Sequence, residues 1–216
     1  MKFLQKLFGK KSPCTQPKNI TDPIANITEW TPLNLGGTSF CTHTAVQKDR
    51  KIVFEKTILF HVFPWFFVFF PMFVGYKIFQ NEQNQLSSNN LIGVYFGCGL
   101  FILIGIWLFL YNRKKIKFDK NLGYYSKGKI KRSTSLAPIE ENKNCIQLSK
   151  IHALQIVSEY VTGDENSYYS YELNLVLKTG KRLHVIDHGS LYVLRKDTKL
   201  LSEFLKIPIW DAVEKD

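Results

Sequence analysis

The sequence predicts a membrane protein of the α+β class: a two-helix transmembrane hairpin joined to an antiparallel sheet that is capped by a C-terminal amphipathic helix. Three observations carry this. Ile58 to Tyr76 (ILFHVFPWFFVFFPMFVGY) contains no Asp, Glu, Lys or Arg, and Leu91 to Tyr111 (LIGVYFGCGLFILIGIWLFLY) has no ionisable side chain besides Cys98 and tyrosines. At about 1.5 Å of rise per residue, about 20 residues span the roughly 30 Å hydrocarbon core of a bilayer, a length each run supplies. The short polar link Lys77 to Asn90 turns the two spans back on each other. Beyond them, segments of alternating polarity give way after Gly189 to apolar residues recurring at three or four positions.

Charge orients the hairpin. Of the formal net charge of +11, much is concentrated in Arg113, Lys114, Lys115, Lys117, Lys120, Lys127, Lys129, Lys131 and Arg132, opposed only by Asp119. Lys48, Arg50, Lys51 and Lys56 precede the first span, whereas the link offers Lys77 beside Glu82. Positive residues near span ends stay cytoplasmic, so both termini are expected inside and the link outside. The cysteines Cys14, Cys41, Cys98 and Cys145 lack the regular spacing of a disulfide framework, which agrees with a reducing cytoplasm.

In chain order, MKFLQKLFGKKS is interrupted by Lys6 and too short for a secretory signal. Phe3, Leu4, Leu7 and Phe8 against Lys2, Lys6 and Lys10 suit either a short helix on an anionic surface or a frayed basic tail. Pro13, Pro17 and Pro23 mark a linker. From Trp30, Ser39 to Val46 and Lys51 to Lys56 read as strands around a turn at Gln47 to Arg50. Pro64 and Pro71 lie inside the first span, where each removes an amide donor. In the second, Gly93 and Gly97 share a face and are expected to let the first span approach closely.

Ile116 and Phe118 alternate with Lys117 and Asp119, and Asn121 to Gly123 turns the chain into Tyr124 and Tyr125. Ser133 to Asn144 reads as an exposed loop. Cys145 to Leu148, Ala153 to Val161, Tyr168 to Lys178 and Arg182 to Asp187 then read as strands, with Thr179-Gly180 as a hairpin turn and Gly163 to Asn166 as another. Leu191, Leu194, Leu201, Phe204 and Leu205 define the amphipathic helix Ser190 to Leu205, which Pro208 ends, with Trp210 packing back over the helix end or sheet edge. The divisions are a basic tail and linker (1–29), strands leading into the membrane (30–56), transmembrane helices (57–79 and 91–112) around an external link (80–90), and a cytoplasmic domain (113–216).

With WTPLNLGGTSFCTH before the first span, SYELNLVLKTGKRLHVIDHG in the sheet and LRKDTKLLSEFLKIPIWD at the end, the chain resembles a group of uncharacterised bacterial inner-membrane proteins. Its strands closed by one C-terminal helix likewise resemble the pleckstrin-homology-like (PH-like) domain that follows a two-helix hairpin in many small bacterial membrane proteins. The resemblance implies a PH-like cytoplasmic domain at the cell inner membrane and assigns no activity. It also implies that strands on both sides of the hairpin join one sheet.

Reactive constellations are weak. His61 lies near the cytoplasmic end of the first span, and the second span offers no partner for a proton relay. Cys41 and His43 could ligate from one strand face, but a structural zinc site wants four ligands. Asp187, His188 and Ser190 are the residue types of a hydrolytic triad, yet neighbours on a strand point to opposite faces. The simpler reading has Gly189 at a positive backbone angle, with Ser190 or Asp187 capping the helix. Neither a catalytic residue, a metal nor a cofactor is expected. Arg113, Lys114, Lys115, Lys117, Lys120, Lys127 and Lys129 are expected to bind anionic lipid headgroups, at about 1 kcal/mol each. The expected function is non-enzymatic: an integral membrane protein in the lipid bilayer whose cytoplasmic domain binds a partner protein or the anionic surface, with no nucleic acid. The alternatives are a membrane immunity or assembly factor acting through its hairpin, and a small transporter or enzyme.

Overall fold

The structure is a computed structural model that describes residue 17 and residues 20–81, 88–111, 115–128, 130, 139, 142–163 and 166–213. The amphipathic reading of the first dozen residues and most of the 133–144 loop lie outside these. The chain forms two compact units, Lys56–Lys114 and the combination of Met1–Glu55 with Lys115–Asp216.

The hairpin unit contains α2 (Ile58–Asn81) and α3 (Ser88–Tyr111); a one-turn helix, α1 (Pro23–Asn26), precedes it in the chain. Phe60–Gln80 and Ile92–Leu110 are long and apolar enough to cross a membrane, with mean hydropathies of 1.6 and 2.3. Only 11% and 6% of their most apolar windows are buried, the reverse of what the core helix of a soluble protein requires. Phe66, Phe69, Phe73, Phe96 and Trp107 are exposed on them.

Helix approach does not run through the expected glycines. A Cβ added at Gly93 or Gly97 meets nothing within 4 Å, whereas at Gly105 it would lie 2.9 Å from the Pro64 carbonyl oxygen and 3.0 Å from Phe67 Cβ. The four-residue spacing marked a possible face, but the helix turns Gly105 inward. Gly105→Leu is therefore expected to destabilise the hairpin by about 1–3 kcal/mol through overpacking. Gly93→Ala and Gly97→Ala are expected to leave it unchanged, as read by thermal unfolding in detergent.

The second unit holds two sheets. Strands β1 (His43–Lys48), β2 (Lys51–Lys56), β3 (Ile116–Asp119), β4 (Tyr124–Lys127) and β5 (Cys145–Gln147) lie side by side in that order. The second sheet runs β8 (Arg182–His188), β7 (Ser167–Leu177), β6 (Ile151–Thr162), β9 (Ile209–Asp211). Strands from both sides of the hairpin do share a sheet: β2 pairs antiparallel with β3, Ile52 opposite Phe118 and Phe54 opposite Ile116. Asp119 makes the next turn. Its carboxylate accepts the amides of Asn121 at 2.9 Å and Leu122 at 3.2 Å, and Gly123 supplies the positive φ of 74°.

Helix α4 (Leu191–Leu205) closes the core. Its buried Leu194, Leu201 and Phe204 meet Ile52, Phe54, Phe118 and Tyr125 from the first sheet and Leu154, Ile156, Leu173 and Leu175 from the second. Ser190 caps the helix by accepting the Val193 amide, and the helix ends at Lys206 in a left-handed conformation, before Pro208. The following IPIWD does more than fold back. Ile209–Asp211 adds a parallel strand beside β6, which puts Trp210 5.9 Å from Trp30 and 5.6 Å from His152.

Ahead of Trp30, the stretch read as a linker is structured over part of its length. From Ile20 the chain is docked: Asp22 caps α1 and binds His152, and Ala25, fully buried, joins Trp30, Ala153, Val176 and Trp210 in a second core on the other face of the sheet. Proline spacing suggests a linker, but here Pro23 begins a helix, where its missing amide costs nothing.

Candidate functional site

Among the basic residues expected at the membrane surface, Arg113, Lys114 and Lys129 lie outside the described residues. Lys115 and Lys120 are exposed and Lys117 half-buried, on or beside β3. The Lys120 ammonium stands 4.4 Å over the Phe204 ring, its charge still accessible. Lys127 is committed inward: its Nζ donates to the Val185 carbonyl at 2.9 Å and lies 3.3 Å from His184 Nδ1.

Residues 31–42 cross the second sheet as an irregular strap. Two nearly buried glutamates fasten it through charge-assisted hydrogen bonds to its backbone. The Glu172 carboxylate accepts the amides of Leu33 (2.9 Å) and Asn34 (2.8 Å), and the Glu159 carboxylate accepts those of Gly36 (3.1 Å) and Gly37 (3.4 Å). Thr38 donates its amide to Ser170 Oγ at 2.8 Å, and Arg182 donates to the Thr31 carbonyl at 2.6 Å. The Gly189 amide donates to the Phe40 carbonyl at 3.0 Å. Gly189 is not among the positive-φ residues, contrary to expectation; it is glycine because the strap backbone lies against its Cα.

The Asp187, His188 and Ser190 types do not assemble as a triad. His188 is fully buried, with Nδ1 accepting the Ser190 amide at 3.0 Å and Nε2 3.2 Å from the His43 carbonyl. Burial holds its pKa below the ordinary histidine value, against its backbone bonds and the charge of Asp197. Asp197 is shifted the other way: burial raises its pKa, against the Ala45 amide and the charges of His188 and Lys196.

The sign of each contribution follows. His188 binds a proton more readily unfolded, so its contribution to stability is complete above about pH 6.5 and is lost as pH falls toward the folded value. Asp197 binds a proton more readily folded, so its ionisation costs stability as pH rises from about 4 through the folded value. Urea midpoints are therefore expected to fall on acidification from about pH 7.5 to 5.5, the histidine window. Asp197→Asn, which keeps an acceptor for Ala45, is expected to raise the midpoint at neutral pH. A wild-type midpoint that climbs on acidification would contradict the His188 assignment.

Asp187 faces a different histidine. Its Oδ1 lies 3.1 Å from His184 Nε2, and one ligand atom from each of Glu172, His184 and Asp187 falls within 4.8 Å of the others. Register explains the meeting. Asp187 is opposite Glu172 and His184 opposite Asn174, with an irregularity between Leu173 and Asn174 that admits an extra residue on β8. Strict alternation puts His184 and Asp187 on opposite faces of a strand, so the grouping has no signal in the sequence and arises only from the bulge. Cys41 and His43 join no such group among the described residues; His43 Nδ1 lies 2.9 Å from Thr42 Oγ1. His61 is exposed on α2. Comparison with protein families, curated proteins and solved structures found no match.

Proposed function

We propose that the chain is a non-enzymatic integral membrane protein of the bacterial inner membrane. In this reading α2 and α3 cross the bilayer, both termini are cytoplasmic, and the two-sheet unit is a PH-like module that binds the anionic membrane surface. The pairing of β2 with β3 carries the reading. The strands entering and leaving the hairpin are neighbours, so the accessible Lys115, Lys117 and Lys120 belong to the part of the module nearest in sequence to the second span. Two sheets sharing a core closed by a C-terminal helix support the PH-like assignment.

Flotation of the hairpin-deleted unit with vesicles rich in phosphatidylglycerol, against phosphatidylcholine vesicles, tests the lipid arm. The triple variant Lys115→Glu, Lys117→Glu, Lys120→Glu is expected to weaken binding to the anionic vesicles by at least about 100-fold, at about 1 kcal/mol for each charge removed. Equal flotation of both proteins would reject it. Orientation is tested separately by labelling single cysteines at the termini and in the 82–87 link with an impermeant reagent on intact cells.

A second reading, an immunity or assembly factor that contacts a neighbouring complex through the hairpin, is favoured by the aromatic face of α2. Trp65 stacks on Phe69 at 5.4 Å and Phe66 on Phe70 at 5.2 Å beside an open apolar groove. Exchange of the hairpin for an unrelated one abolishes function only in this reading.

A further inference from the structure

We propose that Glu172, His184 and Asp187 bind one divalent first-row transition cation on the β7–β8 face of the second sheet. The donor set is chemically apt: imidazole nitrogen and carboxylate oxygens together suit zinc and its neighbours. A tetrahedral ion with bonds of about 2.0–2.2 Å holds its ligands roughly 3.3 Å apart. The three atoms lie within 4.8 Å of one another, so the site closes by side-chain rotation on fixed strands.

Two further observations point to a ligand. First, His184 Nε2 is buried without a hydrogen-bond partner among the described residues, its 3.1 Å contact with Asp187 lying off the hydrogen-bond direction. Second, Asn174, opposite His184 on the neighbouring strand, is fully buried; its Nδ2 donates to Glu172, while its Oδ1 has no partner among the described residues. Glu172 is held on both oxygens, Oε1 accepting from Leu33 and Asn174 and Oε2 from Leu33 and Asn34, so a cation there takes the place of one arm of the bifurcated Leu33 contact. Neither Glu172 nor Asp187 pairs directly with a Lys or Arg among the described residues; the ammonium of Lys127 stands across the His184 ring from Asp187. Access is through Asp187 and His184, whose side chains are 24% and 16% exposed.

Lys127 sets the tautomer. An ammonium only donates, so its 3.3 Å contact makes His184 Nδ1 the acceptor and leaves the ring proton on Nε2. A cation needs the Nε2 lone pair. Binding therefore moves the ring proton to Nδ1 without changing the imidazole's charge, and Lys127 keeps its bond to Val185 while giving up the ring. Lys127 thus competes with the cation.

The test titrates full-length protein in detergent, stripped by a chelator, with Zn2+ by calorimetry and with Co2+ by visible absorption. One saturable equivalent is expected, with d–d bands of low coordination number. His184→Asn and Asp187→Asn should each weaken binding at least about 10-fold, the lower end of what even outer-shell changes cost. Lys127→Met should tighten it, and Cys41→Ser and His152→Ala should leave it unchanged. Glu172→Gln is avoided because Glu172 also anchors the strap. The proposal is overturned by absence of a saturable equivalent, by binding that survives in His184→Asn or Asp187→Asn, by loss in Cys41→Ser or His152→Ala, or by weaker binding in Lys127→Met. Circular dichroism checks each fold, and if one ligand variant unfolds, the other and the wild-type stoichiometry decide.

Discussion

Gly189→Ala is expected to destabilise the two-sheet unit by about 3 kcal/mol or more, although it adds one methyl group. The new Cβ would lie 2.1 Å from the Ser39 carbonyl carbon, 2.2 Å from its oxygen and 2.4 Å from the Phe40 nitrogen. All three are backbone atoms, so rotation of a side chain gives no relief. Overpacking of this kind costs about 1–3 kcal/mol. Withdrawal of the strap also breaks the bond from Gly189 to Phe40 and strains those from Thr38 to Ser170 and from Gly36 and Gly37 to Glu159. Glu159 is 4% exposed, and a buried acceptor stripped of its donors costs about 1–3 kcal/mol more. Gly37→Ala makes the control. Its Cβ would fall 2.1 Å from Ser170 Oγ, a side chain, so Ser170→Gly should restore part of the loss, whereas no single side-chain change should rescue Gly189→Ala. Urea denaturation of the hairpin-deleted unit reads both, and a Gly189→Ala midpoint equal to that of wild type would show that the strap does not rest there.

What the sequence reveals here is what depends on near neighbours. Charge-free runs disclose α2 and α3, Thr179-Gly180 discloses the β7–β8 turn, and the spacing of Leu191, Leu194, Leu201 and Phe204 discloses α4. The strap has no such pattern. Leu33 to Gly37 are held by Glu172 and Glu159, more than a hundred residues away, and irregular backbone bonded to carboxylates leaves no period. Strand β9, three residues long, forms because α4 delivers it alongside β6. At the candidate sites, charge was legible but direction was not. Lys117 and Lys127 look alike in sequence, yet only Lys127 turns inward to Val185. Glu172, His184 and Asp187 are unremarkable apart, and only pairing across the irregularity at Leu173 and Asn174 brings them together.

Excision of the hairpin is expected to leave a folded, detergent-free protein, whereas the segment after it should not fold by itself. Phe54 faces Ile116 across the β2–β3 pair, so Glu55 and Lys115 are placed to be joined by a two-residue Asn-Gly turn of the kind that closes antiparallel hairpins. That replacement shortens the connection from 59 residues, Lys56–Lys114, and a shorter loop costs less closure entropy, by about 0.6 kcal/mol for each halving. The unit thus keeps its whole core and loses only the exposed apolar helices. A fragment of residues 115–216 has the opposite fate. It lacks Ile52 and Phe54, at 0% and 1% exposure, which cover Phe118, and it lacks the strap, Ala25 and Trp30 over the other face. Burial of one large apolar side chain contributes about 1.5–3 kcal/mol, so these losses together reach the order of 5–15 kcal/mol that is a domain's entire stability. A cooperative urea transition for the joined chain and none for the fragment is the expected pair of results. If the fragment unfolded cooperatively with the same midpoint as the joined chain, the strands before the hairpin would be an attachment to the module and not part of its core.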